Sequence, residues 1–230
     1  VAVLFDYPQT SLLHREVSIP KKFSAKQSDT ANISVIGAGL FGKALLLPAL
    51  SKLSQVSLRT LVTASGASGE HSAKRFGFAK CATDMASVFI DSDTDAIIAL
   101  TPHSQHAAIV EQALLAKKPL LIEKPLCTTF NELTHLQNLF GEQPSMVMVG
   151  HNRRFSPHTV KMQQWLAIRT GPMVMQYRVN SGFVPADHWV HSEREGRSRI
   201  VGEMSHFIDL MQALAQELPV RVYAERISGN

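Results

Sequence analysis

A lysine that closes an apolar strand can do chemistry if its neighbours hold it still. Lys124 follows Leu120-Leu121-Ile122, with Glu123 before it and Pro125 after it. The proline restricts the backbone just past the lysine, and Glu123 could orient the ammonium. An ammonium held this way can donate a hydrogen bond to a hydroxyl or carbonyl oxygen while hydride moves to or from the adjacent carbon. The plainer reading is a surface lysine that ends a strand.

Hydride chemistry needs a carrier, and a carrier site is written upstream. Ile33-Ser34-Val35-Ile36 runs into Gly37-Ala38-Gly39-Leu40-Phe41-Gly42, followed by the helical run from Lys43 to Leu50. Glycines here permit a tight turn, let backbone approach a pyrophosphate, and leave amide N–H groups at a helix start aimed at the anion. Two rival readings are a ligand-free strand–turn–helix and the similar glycine loop of a methyltransferase. The second leaves Glu123-Lys124-Pro125 without a role. After about 20 more residues, the dinucleotide motif expects an acid on the ribose. That stretch reads Leu61-Val62-Thr63-Ala64-Ser65-Gly66, with Thr63 and Ser65 as candidate contacts. No acid is present to repel a 2′-phosphate, and no arginine is placed to demand one. NAD and NADP both stay open.

Other candidates carry weaker signals. Thr101-Pro102-His103 ends a strand beside the expected carrier, with His106 one helical turn on, although such histidines commonly just start helices. His151-Asn152-Arg153-Arg154-Phe155 carries two cations, which suit either an exposed crossover or an acidic or polyhydroxylated substrate. His188 and His191 have loose metal spacing but no third ligand, so no metal is expected. His206 lies on an apolar helix with Asp209 three residues on, as a core histidine or one aimed into a cleft.

The elements that must place these groups alternate. Strand-like runs cover 33–36, 56–62, 96–100, 119–122 and 146–149; helical patterns cover 41–53, 70–76, 104–116 and 131–140. Continuous apolar strands between amphipathic helices predict a doubly wound parallel α/β sheet of Rossmann type, ending near Gly150. Residues 1–5 read as a strand closing something upstream, with a linker to residue 31. Beyond 150 the pattern predicts an incomplete α+β domain: helices over 156–170 and 200–216, strands over 173–180 and 220–227, and a polar loop over 181–198. The expected division is therefore 1–31, 32–150 and 151–230.

Composition agrees with an ordinary soluble globular protein that can bury a core. The 230 residues are 45% hydrophobic with a net charge of +4, a pI near 9.2 and a mean hydropathy of +0.00. The basic residues are scattered without an aromatic ladder, so no nucleic-acid partner is expected. No apolar run approaches the roughly 18 residues of a membrane span, and no signal peptide opens the chain. Cys81 and Cys127 have neither metal spacing nor a disulfide framework, which fits a reducing compartment such as the cytoplasm. Val1 in place of methionine hints at a fragment.

With these residues in hand, the chain resembles the Gfo/Idh/MocA oxidoreductases. The matches are Gly37 to Gly42, Thr101-Pro102, Glu123-Lys124-Pro125, Asn152 to Pro157 and the helix around His206-Phe207-Ile208-Asp209-Leu210. They run in family order. The stretch from Tyr177 to His191 looks like the branch fused behind a zinc-type alcohol dehydrogenase domain, and residues 1–8 are similar to the end of that domain. The resemblance implies a Rossmann domain followed by a domain with a large open sheet. It also implies a homo-oligomer at full length, and sugars, sugar nucleotides or polyols as substrates. It raises Lys124 to a catalytic residue and His206 to an acid/base. Gly37, Gly39, Leu40, Phe41, Gly42, Thr63, Ser65, Thr101, Pro102, His103, His106, Glu123 and Lys124 would then line NAD or NADP. Asn152, Arg153, Arg154, His188, Glu203 and Asp209 would face substrate. One departure stands out: where many members carry an aspartate four residues before the histidine, this chain has Gly202 beside Glu203. That departure keeps a second reading alive, a catalytically silent dinucleotide-binding sensor or assembly module.

Overall fold

The computed structural model describes residues 15–20, 30–142, 146–193, 195 and 199–225. Residues 1–5, where a strand is expected, lie outside them, as do the linker residues 21–29 and the last two of the run 220–227. Among the described residues the strands are β1 (Glu16–Ser18), β2 (Ala31–Ile36), β3 (Val56–Val62), β4 (Lys80–Ala82), β5 (Ala96–Ala99), β6 (Leu120–Ile122) and β7 (Val147–Val149). They form one sheet in the order β1-β4-β3-β2-β5-β6-β7. β2 lies parallel to β3 and β5, and β3 parallel to β4; β1 pairs antiparallel with β4 at the edge. The sheet is thus mostly parallel and of Rossmann type, as the alternation predicts. Glu16–Ser18 join it instead of staying in a linker.

The helices are a π-helical turn (Gly42–Leu46) running into α1 (Leu47–Leu50), then α2 (Gly66–Phe76), α3 (Ala86–Ile90), α4 (His106–Leu115), α5 (Phe130–Glu142), α6 (Pro157–Leu166) and α7 (Ser205–Ala215). A second π-helical turn, Ile200–Met204, leads into α7. β4 and α3 were not expected from the sequence, being too short for a hydrophobic period to register.

The chain divides into two compact units. The first holds Val1–Thr101, Glu111–Leu121 and Gln143–Val147; the second holds Pro102–Val110, Ile122–Glu142 and Met148–Asn230. In the first, Val35, Leu47, Leu61 and Phe78 are fully buried. Each such side chain contributes about 1.5–3 kcal/mol by leaving water. The chain walks outward from β2 through β3 to β4, then jumps back to β5 on the other side of β2. That reversal is the switch point where open parallel sheets bind ligands, outside the carboxyl ends of the strands. The amino ends are closed by another network: Ser34 Oγ lies 2.8 Å from Thr94 Oγ1, and Arg59 bonds both Asp91 and Asp93.

The second unit differs from expectation. Residues 173–180 and 220–225 are not strands, and no strand among the described residues follows β7. Alternating residues make a strand only when a neighbour accepts its backbone hydrogen bonds, and here Val174, Val220 and Val222 lie exposed. The open sheet expected of this unit is therefore not seen among the described residues.

Candidate active site

The three glycines of the turn after β2 meet three different surroundings. Gly37 follows β2 with φ +93°, and a Cβ there would stand 2.5 Å from the Leu100 carbonyl oxygen. Its amide donates to Val62 O at 2.8 Å, tying the turn to the end of β3. Only glycine suits that conformation and that approach. A Cβ on Gly39 would meet no atom within 4 Å, so no protein contact requires glycine there. A Cβ on Gly42 would press to 2.9 Å from Leu100 Cδ1, which sets how closely the helical turn packs on the strand. Tight turn, open approach and close packing are the roles of the three dinucleotide-motif glycines. Leu40 and Phe41 are exposed beside them. Thr63 follows β3 and donates its hydroxyl to Ser65 O at 2.9 Å. Thr101, at the end of β5, is adjacent: its Cγ2 would lie 3.3 Å from a Cβ on Gly37.

In the second unit the turn carrying Lys124 is held from below. His106 is fully buried, and its Nδ1 lies 2.6 Å from Pro125 O. A carbonyl only accepts, so Nδ1 is the protonated nitrogen. Expected to line the carrier, His106 instead lies in the core and braces the Glu123-Lys124-Pro125 turn. Glu123 packs against Gly150, where a Cβ would come within 3.0 Å of its Oε1. Burial pushes its carboxyl above the usual range, offset in part by the Lys124 backbone and charge.

Lys124 Nζ donates to Gly202 O at 2.9 Å and to Glu203 Oε1 at 3.2 Å. The predicted pair of Lys124 and His206 is thus gathered around the Ile200–Met204 turn. His206 is buried at 8% exposure. Burial, then the positive charges of Lys124 and Arg153 and the ring of His151, push its pKa down from 6.5 to about 4; Glu203 pulls the other way. The imidazole is therefore neutral at ordinary pH. Its Nδ1, the Nδ1 of His151 and Ser205 Oγ are buried without hydrogen-bond partners among the described residues. Buried polar atoms are seldom left unmade, and such a group marks a place for a ligand or water.

Several expected substrate residues are otherwise engaged. Arg154 grips Asp209 with both ends of its guanidinium, Nε at 2.9 Å from Oδ2 and Nη2 on Oδ1. The pair fastens the turn Asn152–Phe155 to α7. The Arg153 guanidinium lies 4.8 Å over the Phe207 ring, while Asn152 is exposed. His188 caps its own turn, its Nδ1 accepting from Val190 N at 3.3 Å. His103 Nδ1 donates to Glu195 O at 2.6 Å, and Ser104 Oγ to Glu195 Oε1 at 2.7 Å. Pro102 is exposed before them.

Two members of this constellation were not singled out as site residues from the sequence. His151 carries no motif signal beyond adjoining Asn152, and its ring meets His206 at 5.7 Å between centroids. Glu195 sits in a loop that reads only as polar. A groove of about 420 Å³ also opens by Tyr177, Ile200, Met204, Phe207 and Met211, with Glu203 at its margin. Its mostly apolar lining offers little to a hydroxylated ligand. Among the described residues no helix is long and apolar enough to cross a membrane.

Comparison with known proteins bears on the same segments. Residues 31–151 match the family GFO_IDH_MocA, described as an oxidoreductase family with an NAD-binding Rossmann fold. Inositol 2-dehydrogenase of Rhizobium meliloti is 28% identical over 198 residues, 85% of this chain and 58% of its own. Inositol 2-dehydrogenase 2 of Saccharopolyspora erythraea is 29% identical over 162 residues, 68% of this chain and 48% of its own. This chain thus spans about half the length of those relatives. A solved levoglucosan dehydrogenase, in complex with NADH and levoglucosan, aligns at TM-score 0.67 and 23% identity. That alignment covers 80% of this chain and 54% of the other, and it shows the shared fold.

Proposed function

The chain belongs to the Gfo/Idh/MocA oxidoreductase family, and we propose that it carries the dinucleotide site and the acid–base pair of an enzyme oxidising or reducing a sugar or polyol. One observation carries the reading: the Lys124 ammonium and the neutral, buried His206 converge on one turn, beside imidazole nitrogens that lack partners. Such a site suits a ligand dense in hydroxyls.

A nicotinamide dinucleotide, when bound, supplies the hydride acceptor or donor. The glycine turn would hold its pyrophosphate, and Thr63 and Ser65 would meet its ribose. In oxidation, the neutral His206 imidazole takes the proton of the substrate hydroxyl. Lys124 donates a hydrogen bond to the same oxygen as it becomes a carbonyl, stabilising negative charge there. Glu203 and Gly202 O keep the ammonium from swinging away. His106 fixes the backbone that presents it. In reduction the same groups run in reverse, with His206 returning the proton.

The test is turnover. The full-length protein is given NAD or NADP and a panel of inositols, anhydrosugars and sugar nucleotides, and reduced nicotinamide is followed. Cofactor binding without turnover on any of them would favour the silent module, which Gly202 in the aspartate position supports.

The finer placement rests on the run from Tyr177 to His191. We infer that the chain comes from the branch fused behind a zinc-type alcohol dehydrogenase domain, with residues 1–31 carrying the junction apart from Glu16–Ser18, which pair in this sheet, and 151–230 belonging to a substrate and oligomerisation domain of a cytoplasmic homo-oligomer. Reading the open frame upstream of Val1 tests it: an unrelated preceding sequence would reject the fusion.

A further inference from the structure

We propose that Lys43 makes this dinucleotide site select NADP over NAD, by recognising the 2′-phosphate of the adenosine ribose. The inference rests on the dinucleotide reading above and goes on to name the nucleotide.

In this fold the adenosine ribose lies between the glycine turn and the residues that follow the second strand of the motif. Those residues are Thr63, Ala64, Ser65 and Gly66, after β3. An NAD-selective site places a carboxylate there, to bond the 2′-hydroxyl and repel a phosphate. This chain has none. Lys43, the first residue after the glycine motif, reaches across instead: its Nζ lies 3.3 Å from Ser68 Oγ in the first turn of α2. The ammonium thus spans from the glycine turn to the segment after β3, the two walls between which the ribose sits.

The surroundings leave its charge available. Among the described residues Lys43 has no carboxylate partner, only the neutral Ser68 hydroxyl. The first turn of α2 contains no acid. The nearest acid in sequence, Glu70, is engaged by Lys74 at 2.6 Å. The wall is also firmly placed. A Cβ on Gly69 would stand 2.2 Å from Thr63 Oγ1, so α2 lies tight against Thr63, whose hydroxyl is already committed to Ser65 O. Ser65 and Ser68 are exposed, and the Ser65 side chain caps nothing. Two hydroxyls and one cation are a donor set for a phosphate dianion, and an ammonium pairs with phosphate as a point charge. A 2′-hydroxyl can accept one hydrogen bond from the ammonium but has no charge to pair with it, so the phosphate gains more.

Fluorescence titration with NADPH and with NADH tests this on the parent protein and on Lys43→Met and Lys43→Glu. The parent should bind NADPH more tightly by about tenfold to a hundredfold, the scale of one hydrogen bond to a charged group. Lys43→Met should erase that preference while NADH affinity stays within about twofold, and Lys43→Glu should invert it. Thermal melts of the half-exposed variants should overlay the parent and show that each is folded. Equal binding of both nucleotides by the parent, tighter binding of NADH, or an undiminished preference in Lys43→Met would overturn the NADP assignment and leave the dinucleotide site standing. Binding of neither nucleotide would overturn the dinucleotide reading itself.

Discussion

The His151 ring meets the His206 ring edge to face, with centroids 5.7 Å apart and planes at 78°. Each has a buried Nδ1 without a partner among the described residues. Both imidazoles are pushed below the usual histidine range, burial being the largest cause in each. The Lys124 charge adds to the push on both. Two neutral imidazoles beside an ammonium form a site that can take a proton without first having to lose one.

This shifts the expected pH profile. The sequence alone predicts an oxidation limb at the ordinary histidine range of about pH 6 to 7. The structure moves it to about 4. Oxidation by the parent should therefore be flat through neutrality and fall only as pH approaches 4, and His206→Ala should be slow with that limb removed. A parent limb at pH 6.5, or a His206→Ala profile that overlays the parent, would reduce His206 to a core histidine.

The same shift sets an acid stability limit. Because the folded-state pKa lies below the unfolded 6.5, the unfolded chain binds more protons between pH 6.5 and about 4. Stability should fall as pH drops through that window, by on the order of 3 kcal/mol once it is fully crossed. His206→Phe should flatten this part of the Tm-versus-pH curve, and an unchanged slope would contradict the shift.

Lys124→Met should leave dinucleotide affinity nearly intact and cut kcat by roughly a hundredfold or more, the scale of a lost oxyanion or proton-transfer partner. Equal kcat in mutant and parent would remove Lys124 from the chemistry.

The glycines should separate by readout. Gly37→Ala should destabilise the fold by about 2 kcal/mol or more, because it combines positive φ with a backbone clash. Gly39→Val should melt like the parent, since no protein atom meets a Cβ there, yet lose dinucleotide binding if the pyrophosphate approaches that backbone. Identical behaviour of the two variants in both assays would refute that division.

Gly202→Asp asks whether the missing carboxylate matters. A Cβ at Gly202 would find its nearest neighbour, His103 Cε1, at 3.7 Å, an ordinary contact. The new carboxylate should raise the His206 pKa back toward 6.5 and increase turnover. A histidine titration by NMR that stays near 4 would show that the carboxylate does not reach the ring.

Much of this was legible in the chain. Strand and helix periods are local, so Ile33 to Ile36, Val56 to Val62 and the helices between them could be read to within a few residues. The glycine motif is local as a pattern, although what presses on Gly37 and Gly42 is Leu100, far along the chain. What could not be read is whatever depends on residues far apart in sequence. Val174 and Val220 alternate like strand residues, yet alternation supplies no hydrogen-bonding neighbour. Arg154 reads as a free cation until Asp209, 55 residues on, takes its charge. His106 reads as a helix-start residue or a carrier contact, and only its burial with Nδ1 on Pro125 O shows that it braces the lysine turn. Periodicity and turn chemistry are properties of contiguous residues, so the sequence by itself determined the Rossmann sheet and the glycine turn, while the family resemblance singled out Lys124 and His206. Charge, burial and pairing are properties of a three-dimensional neighbourhood. Only the tertiary structure could decide that Lys124 is anchored on Glu203, that His206 stays neutral beside His151, and that Arg154 and Asp209 pair with each other.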